Sequence, residues 1–592
     1  MIDRTTKLRW RRRVRQRRRQ VEDIGIQAEE QLEEHFFKRL SRLTDVRRFV
    51  VSWVLLVTLL IIGSVTQLRG LSQYYQKLAP APGGTYTEGV IGSFTTANPL
   101  YATTAADAAA ARLVFSGLFK YDQNNQLTGD LAKRLDVDER GNRFTITLRD
   151  NVKWHDGHPL TSADVLYTYK IIQNPDAKSP LFNSWKGITV EAPTEKTIVF
   201  TLPNVLASFP TGLTNGIVPK HLLESTQPGQ LRTIRFNTMA PVGSGPFRWE
   251  ALEVAGETQE NREERIGLIP NELYYHGVPQ LDHFILRTFR SEEQMLDSFR
   301  GGELTAMSGL TSLPDNVRSS ETIEHNIPLT GEVMVFFKNT IEPFNDPIVR
   351  KALVLAVDVA SATKDLEYPV ILAKAPLLAS QLGYDKTLTQ LPYDTDTASK
   401  LLDASGWVKG PDGIRSKAGK VLSFQLSAQS TSEYTAVTGY LQKAWRDIGV
   451  DAQVMLQSDA DVQGIVSRHD YEAVLYGISL GTDPDVFAYW HSSQADPRAP
   501  SRLNLSEYIS TGADKALEAG RTRSDAAIRA SKYRPFLEAW RSDAPALALY
   551  QPRFLYVTHG DVAGFAPKVL NTPTDRFNAI EGWTIRQQKV SK

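Results

Sequence analysis

The run "FVVSWVLLVTLLIIGSVT" (Phe49–Thr66) holds eighteen residues without one charge. It is apolar on every side, so no soluble fold could cover all of its faces, and its length is at the short end of what crosses a bilayer. Its only polar members are Ser and Thr, whose hydroxyls can bond back to helix carbonyls. On one side stand "KLRWRRRVRQRRR" (Lys7–Arg19), then Lys38, Arg39, Arg42, Arg47 and Arg48. On the other, Arg69 and Lys77 are the nearest cations. The excess of cations on cytoplasmic flanks predicts a single-pass anchor in the cell membrane, with residues 1–48 in the cytoplasm and everything past Thr66 outside. A cleaved leader fits less well. Its basic region would be far too long, and the nearest small-x-small site, Ala79-Pro80-Ala81, lies well past the apolar run and precedes Pro82.

The net charge of +1 conceals an asymmetry: residues 1–48 are heavily basic, so the remainder is mildly acidic. A folded basic domain is missing, and no nucleic-acid partner is expected. Glu22–Leu43 places Ile24, Leu32, Phe36, Phe37, Leu40 and Leu43 at near-helical spacing, with acids early and bases late. That predicts a cytoplasmic amphipathic helix, lying on the membrane, pairing with a partner or simply solvated. The chain has no cysteine. Disulfides, thiolate metal sites, cysteine nucleophiles and a lipid-modified N-terminal cysteine are all excluded.

Beyond a Pro/Gly-containing linker, 67–82, the external chain mixes strands and helices. "RFTITLRD" (Arg143–Asp150) and "KTIVFTL" (Lys196–Leu202) alternate in period two, as half-buried strands do. "TSADVLYTYKII" (Thr161–Ile172) and "DTDTASKLLDASGW" (Asp394–Trp407) read as capped helices, the second closed by Gly406. "SEYTAVTGYLQKAWRDIGVDAQVML" (Ser432–Leu456) reads helix, Gly stop, strand. That alternation predicts an α/β body.

Several stretches, in order, resemble one family. They include "GGTYTEGVIGSFTTANPL", "VFSGLFKYDQNNQLTGDLAKRLDVDERGNRFTITLRDNVKWHDGHPLTSADVLYTYK", "APVGSGPFRW", "PNELYYHGVPQLD", "FRGGELTAM", "PFNDPIVRKALVLAVD", "TDPDVFAYW" and "APALALYQPRFLYV". From about Gly83 to Trp583 the chain is similar to the extracytoplasmic solute-binding proteins of family 5, the oligopeptide, dipeptide and nickel-binding components of ABC importers. The resemblance implies a two-lobed α/β clamp of the periplasmic-binding-protein type. Lobe one would be 83–327 with 547–592, carrying a small subdomain inserted near 101–190, and lobe two 328–546. It implies capture of a peptide or other small solute between the lobes, delivery to ABC permease subunits, no cofactor and no catalysis.

Candidate site residues come with competing structural roles. In "LRDNVKWHDGHPLTSADV" (Leu148–Val165), His155 and His158 could form a metal pair on a helix, but Gly157 and Pro159 break any helix there. The stretch reads better as strand, Asp-Gly turn and capped helix, with Trp154 burying its ring and donating its indole N–H. "PVGSGPF" (Pro241–Phe247) is neither a nucleophile elbow nor a phosphate loop. Its glycines predict a sharp turn into the next strand. The resemblance places Ser244 near the cleft, Thr103, Thr104 and Ala105 on the ligand-contacting loop of lobe one, and Tyr476, Gly477, Ile478 and Ser479 on the ligand strand of lobe two. It also brings Trp490 and Tyr550 towards the cleft, Trp490 chiefly as core or wall. Many relatives pair an aspartate ahead of the Asp-Pro with a peptide ammonium. Counting back from Pro484, that position is Leu480. Asp483 or Asp485 could replace it only through a rearranged loop; otherwise they cap the following helix. In "DPIVRKALVLAVD" (Asp346–Asp358), Val349, Ala352, Leu353 and Ala356 form a core stripe, with Arg350 and Asp358 as structural partners.

Two other functions follow from particular residues. The basic arm 1–48 suits a ligand-sensing receptor or scaffold that signals inward. The His155/His158 pair suits a metal-dependent hydrolase, for which the sequence names neither a third ligand nor a general base.

Overall fold

The computed structural model describes residues 47–591, other than 257, 259, 367, 497, 500 and 501. The predicted cytoplasmic helix and most of the basic arm lie outside the described residues. The chain divides into two compact units, one of residues up to Ala79 with Gln587–Lys592, the other Pro80–Arg586.

In the first unit, Arg47–Tyr75 is one α-helix. At 1.5 Å per residue its 29 residues extend about 44 Å, enough to cross a bilayer. The span Phe49–Gly70 has a mean hydropathy of 2.4 and none of it is buried within the protein. Thr58 Oγ1 donates to the Val54 carbonyl at 2.7 Å, and Thr66 Oγ1 to Ile62 and Gly63 at 2.9 Å, so the hydroxyls satisfy themselves on the helix. The helix runs past Thr66 where the sequence predicts a linker; Gln67–Tyr75 contains no proline, and Gln67, Leu68, Arg69, Leu71 and Gln73 are good helix formers. The strand Gln76–Ala81 follows, and it pairs with the C-terminal strand Arg586–Ser591.

The second unit is a two-lobed α/β body. A seven-stranded sheet orders 322–328, 553–559, 306–308, 85–91, 283–289, 263–270 and 247–255. A five-stranded sheet orders 451–457, 423–429, 473–479, 331–337 and 546–550. Two strand pairs carry the chain between them. Thr322–Pro328 leads straight to Gly331–Phe337, and Ala546–Tyr550 leads straight to Arg553–His559. The crossing segments are tied by Leu329 N–H donating to the Pro552 carbonyl at 2.8 Å. Two such adjacent strand links are what a hinge needs, since few backbone angles must change for the lobes to move. A four-stranded sheet, 132–137, 143–148, 197–201 and 189–194, stands beside the first lobe. It runs past residue 190, where the sequence reading closes the insert, because Thr197–Thr201 pairs with Arg143–Leu148.

The helix Pro347–Leu355 buries Val349, Ala352 and Leu353, and Trp445 and Phe424 pack in the same cluster. Arg350 and Asp358 do not pair with each other. Arg350 donates to the Asp543 carbonyl at 2.7 and 3.0 Å, and Asp358 caps the helix Val359–Ala362.

One buried acid gives the hinge strand a pH dependence. Glu332 is 1% exposed, and its Oε2 has no hydrogen-bond partner among the described residues. Burial pushes its carboxyl well above the usual carboxylate range. The folded chain holds the proton while the unfolded chain releases it above pH about 4.3. Stability from this group is therefore complete below that pH and is lost as pH rises towards the folded value. Glu332→Gln is expected to melt higher than the wild type near pH 8, with the gap closing by about pH 4. An equal gap at both pH values would contradict this assignment.

Candidate functional site

The stretch Leu148–Val165 folds as its local chemistry dictates. The strand Arg143–Leu148 ends, Lys153 and Pro159 bridge, and Trp154 N–H donates to the His158 carbonyl at 2.8 Å across a turn in which Gly157 has φ +88°. Thr161 then caps the helix Ser162–Ile172 with Asp164 in a reciprocal box. Trp154 is fully buried, but its indole N–H has no acceptor among the described residues, contrary to the expected donation.

His155 braces this turn against "PVGSGPF". Gly243 N–H donates to His155 Nδ1 at 3.1 Å, so Nε2 carries the proton and donates to the Gly245 carbonyl at 3.1 Å. Burial pulls the imidazole down to about 4, which keeps it neutral. The glycines are not required for a left-handed turn, since neither Gly243 nor Gly245 has positive φ. They permit close approach: a Cβ on Gly243 would overlap the Val114 carbonyl at the end of the helix Ala105–Val114. Gly243→Ala is accordingly expected to cost about 1–3 kcal/mol through overpacking, read as a lower unfolding midpoint. A midpoint equal to wild type would show that the segment yields freely.

A cavity of about 610 Å³ lies at the end of the strand Ala473–Ser479. Lobe two contributes Ser479–Asp483 and Asp485; lobe one contributes, among others, Arg112, Lys120, Tyr121 and Asp575. The lobes also touch: Ser208 Oγ donates to Asp485 Oδ2 at 3.0 Å, and Thr482 Oγ1 donates to the Tyr121 hydroxyl at 3.4 Å.

The acids of the Asp-Pro loop are already neutralised. Arg529 donates to both carboxylate oxygens of Asp483 at 2.6 Å. Burial pulls the guanidinium down, but the Asp483 carboxylate more than offsets this and raises it. Asp485 pairs with Arg521 at 3.1 Å and accepts weakly from Phe487 N–H. Leu480 lines the cavity with an apolar surface, and its N–H donates to the Thr330 carbonyl at 2.8 Å, fixing the loop to the hinge. Two cations at the wall are held in long ion pairs, Arg112 at 3.9 Å from Asp130 and Lys120 at 3.9 Å from Glu581, and Arg112 Nη2 donates to Asn578 Oδ1 at 2.6 Å. Asp575 opposes them, but its carboxylate caps the turn Pro573–Phe577 by accepting from Thr572 N–H at 3.0 Å.

The remaining candidates scatter. Thr103, Thr104 and Ala105 fall outside the cavity wall, where Ala102 and Ala108 stand instead; Thr104 caps the helix through Asp107. Tyr476, Gly477, Ile478 and Ser479 line a neighbouring cavity of about 420 Å³. Their strand, Ala473–Ser479, pairs along its length with Gly331–Phe337. On its other edge it meets Ser423–Gln429 only at Ala473 and Val474. From Leu475 onward no strand pairs with that edge among the described residues. Ser244 and Tyr550 do not line the cleft as the resemblance implies, and Trp490 stands in the core, one of the two places expected for it. All three are fully buried, and neither cavity touches them. The Ser244 carbonyl accepts from Ser116 Oγ at 3.3 Å, Trp490 packs edge-on to Trp540 at 5.8 Å, and the Tyr550 hydroxyl donates to Glu433 at 2.6 Å.

Sequence reasoning missed Arg112, Lys120 and Asp575. The one available signal was Arg112 as a long cation in the alanine-rich helix "AADAAAARLV".

Comparison with known proteins agrees with the two-lobed fold. The profile of "Bacterial extracellular solute-binding proteins, family 5 Middle" matches residues 126–498. The oligopeptide-binding protein AppA of Bacillus subtilis is 25% identical over 549 residues, covering 90% of this chain and 97% of that protein. Protein XP55 of Streptomyces lividans is 28% identical over 470 residues, covering 76% and 79%. Among solved structures, NikZ from Campylobacter jejuni in complex with Ni(L-His) is 26% identical with a TM-score of 0.70, covering 84% of this chain and 99% of that one. AppA from Bacillus subtilis in complex with a nonapeptide is 24% identical with a TM-score of 0.68, covering 86% and 100%.

Proposed function

Because the chain belongs to the bacterial extracellular solute-binding proteins of family 5, we propose that it captures peptides outside the cell for an ABC permease while held in the membrane by its own helix. The observation that carries the peptide is the edge of Leu475–Ser479 that no strand pairs among the described residues, where the Tyr489 hydroxyl alone reaches in, donating to the Ser479 carbonyl at 2.5 Å. It ends at the cavity, on a loop bonded to the hinge. An extended peptide adds to such an edge through main-chain hydrogen bonds, with side-chain pockets setting selectivity. The peptide-bound relative with the same fold supports this reading.

The clamp works by differential affinity. A solute that touches both lobes stabilises the closed arrangement, which then docks on the permease. No bond is made or broken. Lobe one is taken as 83–327 with 547–592, and lobe two as 328–546. The anchor is single-pass with its N-terminus in the cytoplasm, on the strength of the flanking arginines.

Leu480, with Asp483 and Asp485 both ion-paired, leaves that loop no free carboxylate for a ligand ammonium. N-terminally blocked peptides are therefore accepted as well as free ones. Native mass spectrometry of the full chain, extracted from membranes in mild detergent, tests this reading. One small solute per chain, with peptide masses, is expected. A co-purified solute that is uniformly non-peptide would overturn the peptide assignment.

A further inference from the structure

Away from the cleft, the chain brings together a second group of side chains that solute binding leaves unused. His158 and Asp156 belong to the turn described above, and His221 lies on the short helix Lys220–Leu223. His221 Nε2 is 2.7 Å from Asp156 Oδ2, and His158 Nδ1 is 3.2 Å from Asp156 Oδ1. The two imidazoles lie 4.4 Å apart at 30°. One ligand atom from each residue lies within 4.8 Å of the others, and among the described residues no other group of three His, Asp or Glu side chains does so. None of the three lines the cleft cavity.

From this geometry we infer that Asp156, His158 and His221 form a surface site for one borderline divalent metal ion, of the zinc, nickel or copper type. Two imidazoles and a carboxylate are the donor set such ions take, whereas magnesium and calcium require oxygen cages. The donors sit on fixed supports. The turn is closed by Trp154 N–H to the His158 carbonyl and Gly157 N–H to the Trp154 carbonyl, at 2.8 and 2.9 Å. The half-buried His155 pins it to the Gly243–Gly245 segment. The second support is held by Lys220 N–H donating to Asp164 Oδ1 at 3.0 Å, with Leu223 buried. Metal–donor bonds of about 2.0–2.2 Å need only small side-chain rotations from these spacings. An ion bound between His221 Nε2 and Asp156 Oδ2 replaces their direct hydrogen bond, with the imidazole proton carried on Nδ1. Three protein ligands leave at least one position open to water or to a donor from another molecule. His158 is 62% exposed in its side chain, so that position faces solvent. This inference does not depend on what occupies the cleft.

The test is equilibrium dialysis of the full chain, purified in detergent without a polyhistidine tag and stripped with chelator, against ZnCl2 and, separately, MgCl2. The wild type is expected to retain one more equivalent of zinc than His158→Ala/His221→Ala, and none of magnesium. The single variant His158→Ala removes an exposed side chain, so its metal-free melting curve should match wild type while its zinc affinity falls at least tenfold. Equal zinc retention by wild type and double variant, undiminished affinity in His158→Ala, or equal retention of magnesium would each overturn the site.

Discussion

Arg576→Ala is expected to destabilise the chain by about 3–5 kcal/mol, because it leaves a carboxylate buried without its countercharge. Glu88, in the central strand Thr85–Ile91, is 0% exposed, and the Arg576 side chain is 3% exposed. Their ion pair is completed by Tyr556 donating to Glu88 Oε2 at 2.8 Å, Ser308 donating to Oε1 at 3.0 Å, and Arg576 donating to the Pro573 carbonyl at 2.6 Å. The network ties the segment after the last hinge crossing to the middle of the first sheet. Glu88→Gln/Arg576→Met removes both charges together and should recover most of the loss, since the cost comes from an unpaired charge rather than from the missing attraction. Denaturant unfolding of the three proteins reads this directly. A single variant as stable as wild type, or a double variant no better than the single, would contradict the network.

Trp490→Ala should likewise cost about 3–5 kcal/mol of stability. The ring is fully buried, with Phe336 at 5.9 Å and Trp540 at 5.8 Å. Were it a stacking surface for solute, the substitution would instead spare stability and reduce affinity. Melting curves with and without peptide separate the two outcomes. An unchanged melting point would return Trp490 to the cleft wall.

What the sequence made legible was what local chemistry decides. The apolar run and its arginines, the strand–turn–helix of 144–172, and the apolar residue at Leu480 each depend on neighbours within a few positions. Local reasoning failed where a residue's role is set by distant chain. Arg112 and Asp575 meet at one cavity from opposite ends of the external chain, and no periodicity reports that. Gly243 follows a turn rule in the sequence but answers to Val114, which packs on it from another element. Ser244, Trp490 and Tyr550 were placed near the cleft by analogy, yet which way each side chain points is set by its packing. Along the sequence His158 is paired with His155, whereas His221 comes beside it only through the fold.

A peptide that bridges the two lobes stabilises their closed arrangement. Thermal melting of the detergent-purified full chain, with and without a random peptide pool, tests it most directly. A ligand at about one hundred times its Kd adds roughly 2.7 kcal/mol to the folded state. A clear rise in melting temperature is expected with the free pool, and a comparable rise with an N-acetylated pool. No shift with either pool would contradict it.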